Sequence, residues 1–485
     1  MDFTCNRDAL VNAVTMAQKA AAVKSPVTQL EGMLVSAVGG SVVFYCTDKE
    51  IGVECTIQAD VDLEGETVVN ARLLGDIVRK LPGDRARMRM VGGTKTQVTS
   101  DNAVFEVFVV QTDAFPPFPS IRREGEYRIN QQTLKKMFQQ TSFAIGVDDT
   151  RKNLTGLFIE GDGRELRTVA VDGFRIALRR QDAGEAGAGG SAADAGGNMA
   201  GASGGKDGAS GGKDGASGGK GGASGGKGGE SSDATGAGSS KGNGNGNGNG
   251  RKDAAFDGGG IGDESGKSHT AGEGGAAAGG DVGGGNGGND GEAMPGRYDH
   301  SAAKIKMIVP AKAISELVKI IPSENGMLSL YGNQKQAVVA FKGCRVYTRV
   351  IDGEFFNYRY ILPNDYVTQI AIPKDSLQNA VERASLILDS DSVRRYPIML
   401  KASGRTLEVR ALSDLGNVQE ALRVDIEGEE IEAAFNPKFL VEALRAIDDE
   451  VILVRFTTRV GQILFMPVGH DGFAYLTLPV RVETR

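Results

Sequence analysis

Three stretches of the chain share one pattern, and their spacing constrains everything else. Residues 435–447 read FNPKFLVEALRAI, residues 69–81 read VNARLLGDIVRKL, and residues 309–321 read VPAKAISELVKII. In the first, Asn436 has the side chain of a helix N-cap, and Pro437 falls at the first helical position, where its missing N–H costs nothing. Phe439, Leu440, Ala443, Leu444 and Ile447 then recur at helical spacing as one apolar stripe. Leu73, Leu74, Ile77, Val78 and Leu81 make the stripe of the second stretch; Ile314, Leu317, Val318 and Ile321 make that of the third. Each predicted helix carries a basic residue just inside its start: Arg72, Lys312 and Lys438. A second unit, a short strand followed by a polar break and a helix, precedes each of these: FTCNRDALVNAV from Phe3, YRINQQTLKKMF from Tyr127, IAIPKDSLQNAV from Ile370. Leu10 and Leu134, the first stripe leucines of two such helices, lie 124 residues apart. Leu134 and Leu377 lie 243 apart, of which 119 belong to a tract without any stripe, leaving the same 124. Equal spacing marks an internal repeat, here three copies of one two-helix module.

The intervening tract, residues 182–300, holds 45 of the chain's 70 glycines. Its few apolar residues are isolated, so it cannot offset its ordering entropy by burial, and disorder is expected. The chain carries a net charge of −7, which by itself argues against a nucleic-acid partner. The tract alone accounts for −7, with 9 Lys+Arg against 16 Asp+Glu, and the remainder is neutral. Within that remainder the six repeat helices (7–19, 71–80, 131–142, 311–321, 374–387, 437–447) sum to +7. A basic surface on the helices, recurring in three copies, is the footprint of phosphate binding.

Other functions find no support. No run of ~20 apolar residues is present to span a membrane. The start MDFTCNRDAL lacks a basic region followed by an apolar run, so a leaderless, cytoplasmic chain is expected. Cys5, Cys46, Cys55 and Cys344 are scattered without a CxxC and read as reduced, packed thiols. Gly266-Lys267-Ser268 lacks the glycine of a P-loop, Ile261 standing in its place. Asp389, Asp391 and Glu382 read as an exposed acidic loop rather than converging metal ligands. Neither a metal site, a cofactor nor a catalytic constellation is expected.

Three segments then carry a resemblance: AVDGFRIA at 170–177, FFNYRYILP at 355–363 and AYLTLPVRV at 474–482. In order and spacing they resemble the bacterial DNA polymerase III beta subunit, the family of beta sliding clamps. The resemblance covers about 366 residues, everything outside the tract. It implies an α+β fold of three clamp modules, residues 1–122, 123–365 (interrupted by 182–300) and 366–485, each packing two helices on antiparallel sheets. It further implies a head-to-tail homodimer closed into a ring. The implied function is a non-catalytic processivity factor that encircles duplex DNA of any sequence and tethers the replicative polymerase. The implied partners are the polymerase III alpha subunit, the clamp loader complex and other proteins with clamp-binding motifs. A diverged clamp-like scaffold that does not encircle DNA is the alternative.

The resemblance also implies sites. DNA contacts are carried over to Lys24, Arg72, Lys152, Asn153 and Lys312. The dimer contact sets Phe105 and Val107 of one chain near Leu386 and Ile387 of the other. A groove for partner peptides is carried over to Leu154, Val171, Gly173, Phe174, Arg175 and Ile176 in the second module, with Phe356, Tyr360 and Ile361. Its other wall is Asn436, Phe439, Val460, Gln462, Leu476, Leu478, Pro479, Val480 and Arg481. Phe174, Phe356 and Phe439 depart from the family's usual His, Pro and Tyr, which narrows the groove and makes it less polar.

Overall fold

A computed structural model describes residues 1–110, 115–123, 125–182, 304–363, 365–388, 396–457 and 461–481. One order of elements recurs three times, the second run lacking a counterpart of the short fifth strand among the described residues. The first run is β1 (Asp2–Asn6), α1 (Arg7–Ala17), β2 (Gly32–Val38), β3 (Ser41–Thr47), β4 (Ile51–Gln58), β5 (Asp60–Leu63), β6 (Gly65–Asn70), α2 (Ala71–Val78), β7 (Arg85–Val91), β8 (Lys95–Ser100) and β9 (Ala103–Val110). The second is β10 (Tyr127–Asn130), α3 (Gln131–Ser142), β11 (Gly156–Gly161), β12 (Glu165–Val171), β13 (Arg175–Asp182), β14 (Ile305–Pro310), α4 (Ala311–Ile320), β15 (Met327–Gly332), β16 (Gln336–Phe341) and β17 (Cys344–Arg349). The third is β18 (Thr368–Pro373), α5 (Lys374–Ser385), β19 (Ile398–Ser403), β20 (Thr406–Ser413), β21 (Gly416–Arg423), β22 (Asp425–Gly428), β23 (Ile431–Phe435), α6 (Pro437–Ala446), β24 (Val451–Phe456), β25 (Ile463–Pro467) and β26 (Phe473–Thr477).

Local chemistry starts the helices where the sequence places them. Asn6, Asn70, Asn130 and Asn436 each accept a backbone N–H of the first turn through the side chain. The stripe leucines Leu10, Leu134 and Leu377 are fully buried against the sheets. One stripe residue is corrected: Leu73 is 46% exposed, because α2 turns Ala71, Leu74, Ile77 and Val78 inward and leaves Leu73 on the far side.

Among the described residues all strand pairs are antiparallel, in sheets of thirteen, nine and four strands. The large sheets are continuous because strands of different runs pair edge to edge. β17 pairs with β4, with Cys344 opposite Cys55 and Thr348 opposite Ile51. β26 pairs with β13, with Thr477 opposite Arg175 and Phe473 opposite Arg179. Here the expectation of four reduced cysteines is corrected. Cys55 and Cys344 form a disulfide, because the junction brings together two residues 289 apart in sequence. Cys5 and Cys46 are free and buried, and burial pushes the Cys5 thiol up to about 12.

The linker at 115–123 lies over the β4–β17 junction. Phe115 and Phe118 meet Tyr45 edge-on at 5.7 and 5.6 Å, and Phe118 meets Tyr347 at 5.2 Å. The partner strand must approach closely here: a Cβ on Gly52 would fall 2.0 Å from the Tyr347 ring.

Asp182, the first residue expected in the tract, is instead the last residue of β13. β13 and β14, which flank it, are not neighbours: the sheet runs β14-β11-β12-β13. Three strand spacings, roughly 14 Å, separate them. The equivalent gap is crossed by residues 59–64 in the first run and by 424–430 in the third. Replacing 183–304 by a copy of 424–430 is therefore expected to leave a folded protein, since loop length costs little closure entropy. Circular dichroism and urea unfolding check this; loss of the cooperative transition would show the removed residues to be part of the fold.

Candidate functional site

The β13–β26 junction creates a concave site. Pairing sets Ile176 opposite Leu476, and a groove of about 390 Å³ opens over them. Its walls include Leu154, Val171, Phe174, Phe356, Ile361 and Leu478, with Gly173 and Arg175 at the turn. The size and the apolar lining suit a short peptide.

The turn between β12 and β13 shapes one wall. Asp172 Oδ1 accepts the backbone N–H groups of Phe174 and Arg175 at 2.9 and 3.1 Å. Gly173 takes a φ of 93°, the left-handed region that favours glycine. Together they hold Phe174 outward, 57% exposed. On the opposite side Phe356 leans on Phe355, which stacks on Phe158 at 4.6 Å.

Arg175 closes the back of the groove. Its guanidinium donates to Asp172 at 2.9 Å, to the Phe143 carbonyl at 2.8 Å, and to Glu442. It also lies 4.1 Å from the Phe439 ring centroid. Burial alone would lower its pKa, but Tyr475, Glu442 and Asp172 outweigh burial and hold it above the ordinary value. The charge is thus spent inside the junction, and Arg175 is a wall rather than a free anchor.

The remaining expected groove residues fall into three groups. Tyr360 is exposed beside the groove. Asn436 caps α6, Phe439 stacks behind Arg175, and Gln462 bonds Thr457. Val480 donates to the Ala434 carbonyl, which runs the segment with Pro479 and Arg481 past the groove rather than into its lining. Val460 lies outside the described residues. Two groove residues escaped the sequence reading: Arg151, and Asn153, which was assigned to DNA. Asn153 donates to the Glu354 carbonyl at 3.1 Å, tying the 149–154 turn to the 350–363 linker. A basic Arg151-Lys152 pair was the available signal, but nothing local tells which of the two turns toward the groove.

Of the other expected DNA residues, Lys24, Arg72 and Lys152 are exposed. Lys312 is exposed but engaged: it pairs with Asp48 and lies 3.3 Å from Glu50, both in the β3–β4 turn, and the hydrogen bond to Asp48 raises its pKa. Asp389 and Asp391 lie outside the described residues.

Leu386 is 81% exposed and Ile387 half-buried. Val107 is 4% exposed and Phe105 half-buried, because β9 alternates and turns both toward the core. Val104 and Phe108 occupy the outer side of that strand.

Comparison with known proteins gives one family. The DNA polymerase III beta subunit N-terminal domain matches residues 1–119, its central domain residues 128–189, and its C-terminal domain residues 359–481. The chain is 21% identical over 491 residues to a beta sliding clamp of Staphylococcus epidermidis, covering 99% of each. It is 22% identical to that of Halalkalibacterium halodurans over 492 residues, covering 99% of this chain and 100% of the other. The structure of the Bacillus subtilis DNA polymerase sliding clamp shares the fold with a TM-score of 0.72, at 22% identity and full coverage of both chains. That of a Pseudomonas aeruginosa sliding clamp bound to griselimycin gives 0.70 at 19% identity, covering 99% of this chain and all of the other.

Fold and matches together define a processivity factor rather than a catalyst. The chain belongs to the DNA polymerase III beta subunit family and is a DNA sliding clamp of that polymerase.

Arg175→Ala is expected to lower stability by about 3 kcal/mol, since it strands the carboxylates of Asp172 and Glu442 at a junction. Glu442→Ala is expected to cost less, because Glu442 keeps 28% side-chain exposure. Urea unfolding midpoints at pH 7 measure both.

Proposed function

We propose that two chains close head to tail into a ring that encircles duplex DNA, and that the β13–β26 groove receives the peptides of its partners. The observation that carries this reading is a pair of unsatisfied sheet edges. In both junctions within the chain, the fourth strand of one run (β4, β13) pairs with the last strand of the next (β17, β26). The equivalents left over are β21 and the first half of β9. Among the described residues each has a neighbour on one side only, β20 and β8. An open edge of this kind is a template for another chain.

The internal junctions also supply a register. Ala103 of β9 stands where Cys344 stands in β17; Glu420 of β21 stands where Cys55 stands in β4. The proposed seam therefore sets Ala103 of one chain opposite Glu420 of the other. Leu386 stands where Phe143 stands, and Phe105 where Tyr475 stands, and those two rings lie 5.6 Å apart in the second junction. This supports the Phe105–Leu386 contact expected from the sequence, with Val107 and Ile387 behind it.

In such a ring the paired helices line a hole. Their basic residues attract phosphates without reading bases, so the ring holds any sequence and slides. Lys24, Arg72 and Lys152 are the candidates with side chains exposed for that task. Lys312 is expected to contribute less, being held by Asp48. The groove would take peptides of the polymerase alpha subunit, the clamp loader complex and other clamp-binding proteins. Among the described residues no helix is long and apolar enough to cross a membrane. A cytoplasmic replication role agrees with this reading.

Ala103→Cys with Glu420→Cys is expected to give a covalent dimer on mild oxidation. That dimer should remain on closed circular DNA in high salt and slide from linear DNA. A monomer band only, or equal retention on both DNAs, would favour a scaffold that does not encircle DNA.

Phe174→Ala is expected to weaken binding of a labelled alpha-subunit peptide about tenfold while leaving the unfolding midpoint unchanged, because the ring is largely solvent-facing. Fluorescence anisotropy reads the affinity; unchanged binding would place the peptide elsewhere.

A further inference from the structure

We propose that Cys55 and Cys344 form a redox-reversible covalent clasp that locks the β4–β17 junction. The two cysteines sit opposite each other across the strand pair, joined as a disulfide, with Cα atoms 4.1 Å apart. They lie under α1, where Met16 Sδ is 3.6 Å from Cys344 Sγ. Cys55 is 1% and Cys344 7% exposed, so small oxidants reach the pair only when the junction breathes.

The clasp belongs to this junction alone. The equivalent positions are Arg179 and Phe473 in the second junction, and Glu420 and Ala103 at the free edges. No other thiol competes. Cys5 and Cys46 are buried and held protonated by burial, and thiols of that kind are poor nucleophiles.

The chemistry balances with hydrogen peroxide as oxidant. One thiolate, most simply that of the more exposed Cys344, attacks the O–O bond. The product is a sulfenic acid, and one water leaves after protonation. The second thiol then attacks that sulfur; the S–S bond forms, the S–O bond breaks, and a second water departs. Two electrons pass from the sulfurs to the peroxide. A dithiol reverses the step by exchange.

The bond adds to a junction that is already sealed. Phe115 and Phe118 cover its outer face on Tyr45 and Tyr347. At the free edges the positions equivalent to Tyr45, Tyr347 and Val338 are the polar Arg410, Glu106 and Gln97, of which Glu106 is exposed and the other two half-buried. If the ring reading holds, oxidation confines opening to the other junctions. The bond itself lies within one chain and is tested without reference to the ring.

The full chain is prepared with a site-specific protease site placed between residues 183 and 303. It is treated with hydrogen peroxide or with dithiothreitol, alkylated, cleaved and run on a denaturing gel without reductant. The peroxide sample is expected to run as one species, and the dithiothreitol sample as two halves. Free thiols in denaturant should fall from four to two. The thermal midpoint of the uncleaved protein should rise on oxidation by on the order of 5 °C, and Cys55→Ser should abolish all three differences. Two halves after peroxide, cross-linked peptides pairing other cysteines, or equal midpoints in the two redox states would overturn the proposal. The wild-type measurements need no variant, so a misfolded Cys55→Ser leaves the test decisive.

Discussion

A β-strand with an open edge is unfinished, and the architecture of this clamp follows from how its edges are completed. A row of unpaired N–H and C=O groups must find partners or face water. In this chain β17 completes the edge of β4 and β26 completes that of β13. These two pairings, more than the helices, join four sheets into the two large continuous ones. They also bring together residues that no local pattern relates: Cys55 with Cys344, Ile176 with Leu476. The groove exists because strands from different runs meet, not because either run contains a pocket.

Charge follows the same logic. The turn that precedes each pairing strand carries acids, Asp48 and Glu50 before β4 and Asp172 before β13, and each finds a cation at its junction. Lys312 answers the first and Arg175 the second. Arg175 lies buried among two carboxylates and two aromatic rings, whereas Lys312 keeps much of its surface in water. Basic residues counted from composition thus divide into those that hold the protein together and those left for phosphates. The helix surplus of +7 overstates the second group.

Much of this was legible in the sequence. The helix caps and most of the stripe residues come from local chemistry, and the structure places them as read: Asn70 and Asn436 cap, Leu10 and Leu134 are buried. Leu73 failed because its neighbour Leu74 fits the same spacing and only packing chooses between them. The cysteines failed because strand pairing across 289 residues has no local signature. Gly173 has the local chemistry of a turn between Asp172 and Arg175, but that the turn holds Phe174 outward depends on the hydrogen bonds of Asp172. The assignment of Asn153 to DNA rather than to the groove rim depended on which way the 149–154 turn faces, and that is a tertiary matter. The partners of Lys312 were equally invisible, since Asp48 and Glu50 belong to another run of elements.

The composite groove has a thermodynamic corollary. Its two walls belong to strands whose mutual contact is the junction itself, so a peptide bound there binds only the docked arrangement. By linkage, occupancy must then tighten the β13–β26 contact, by about 2.7 kcal/mol at a peptide concentration one hundred times its dissociation constant. On the proposed reading, each partner seated in the groove also acts as a splint for that junction. A clamp crowded with clients is mechanically a different object from an idle one, stiffest beside the site where the client sits.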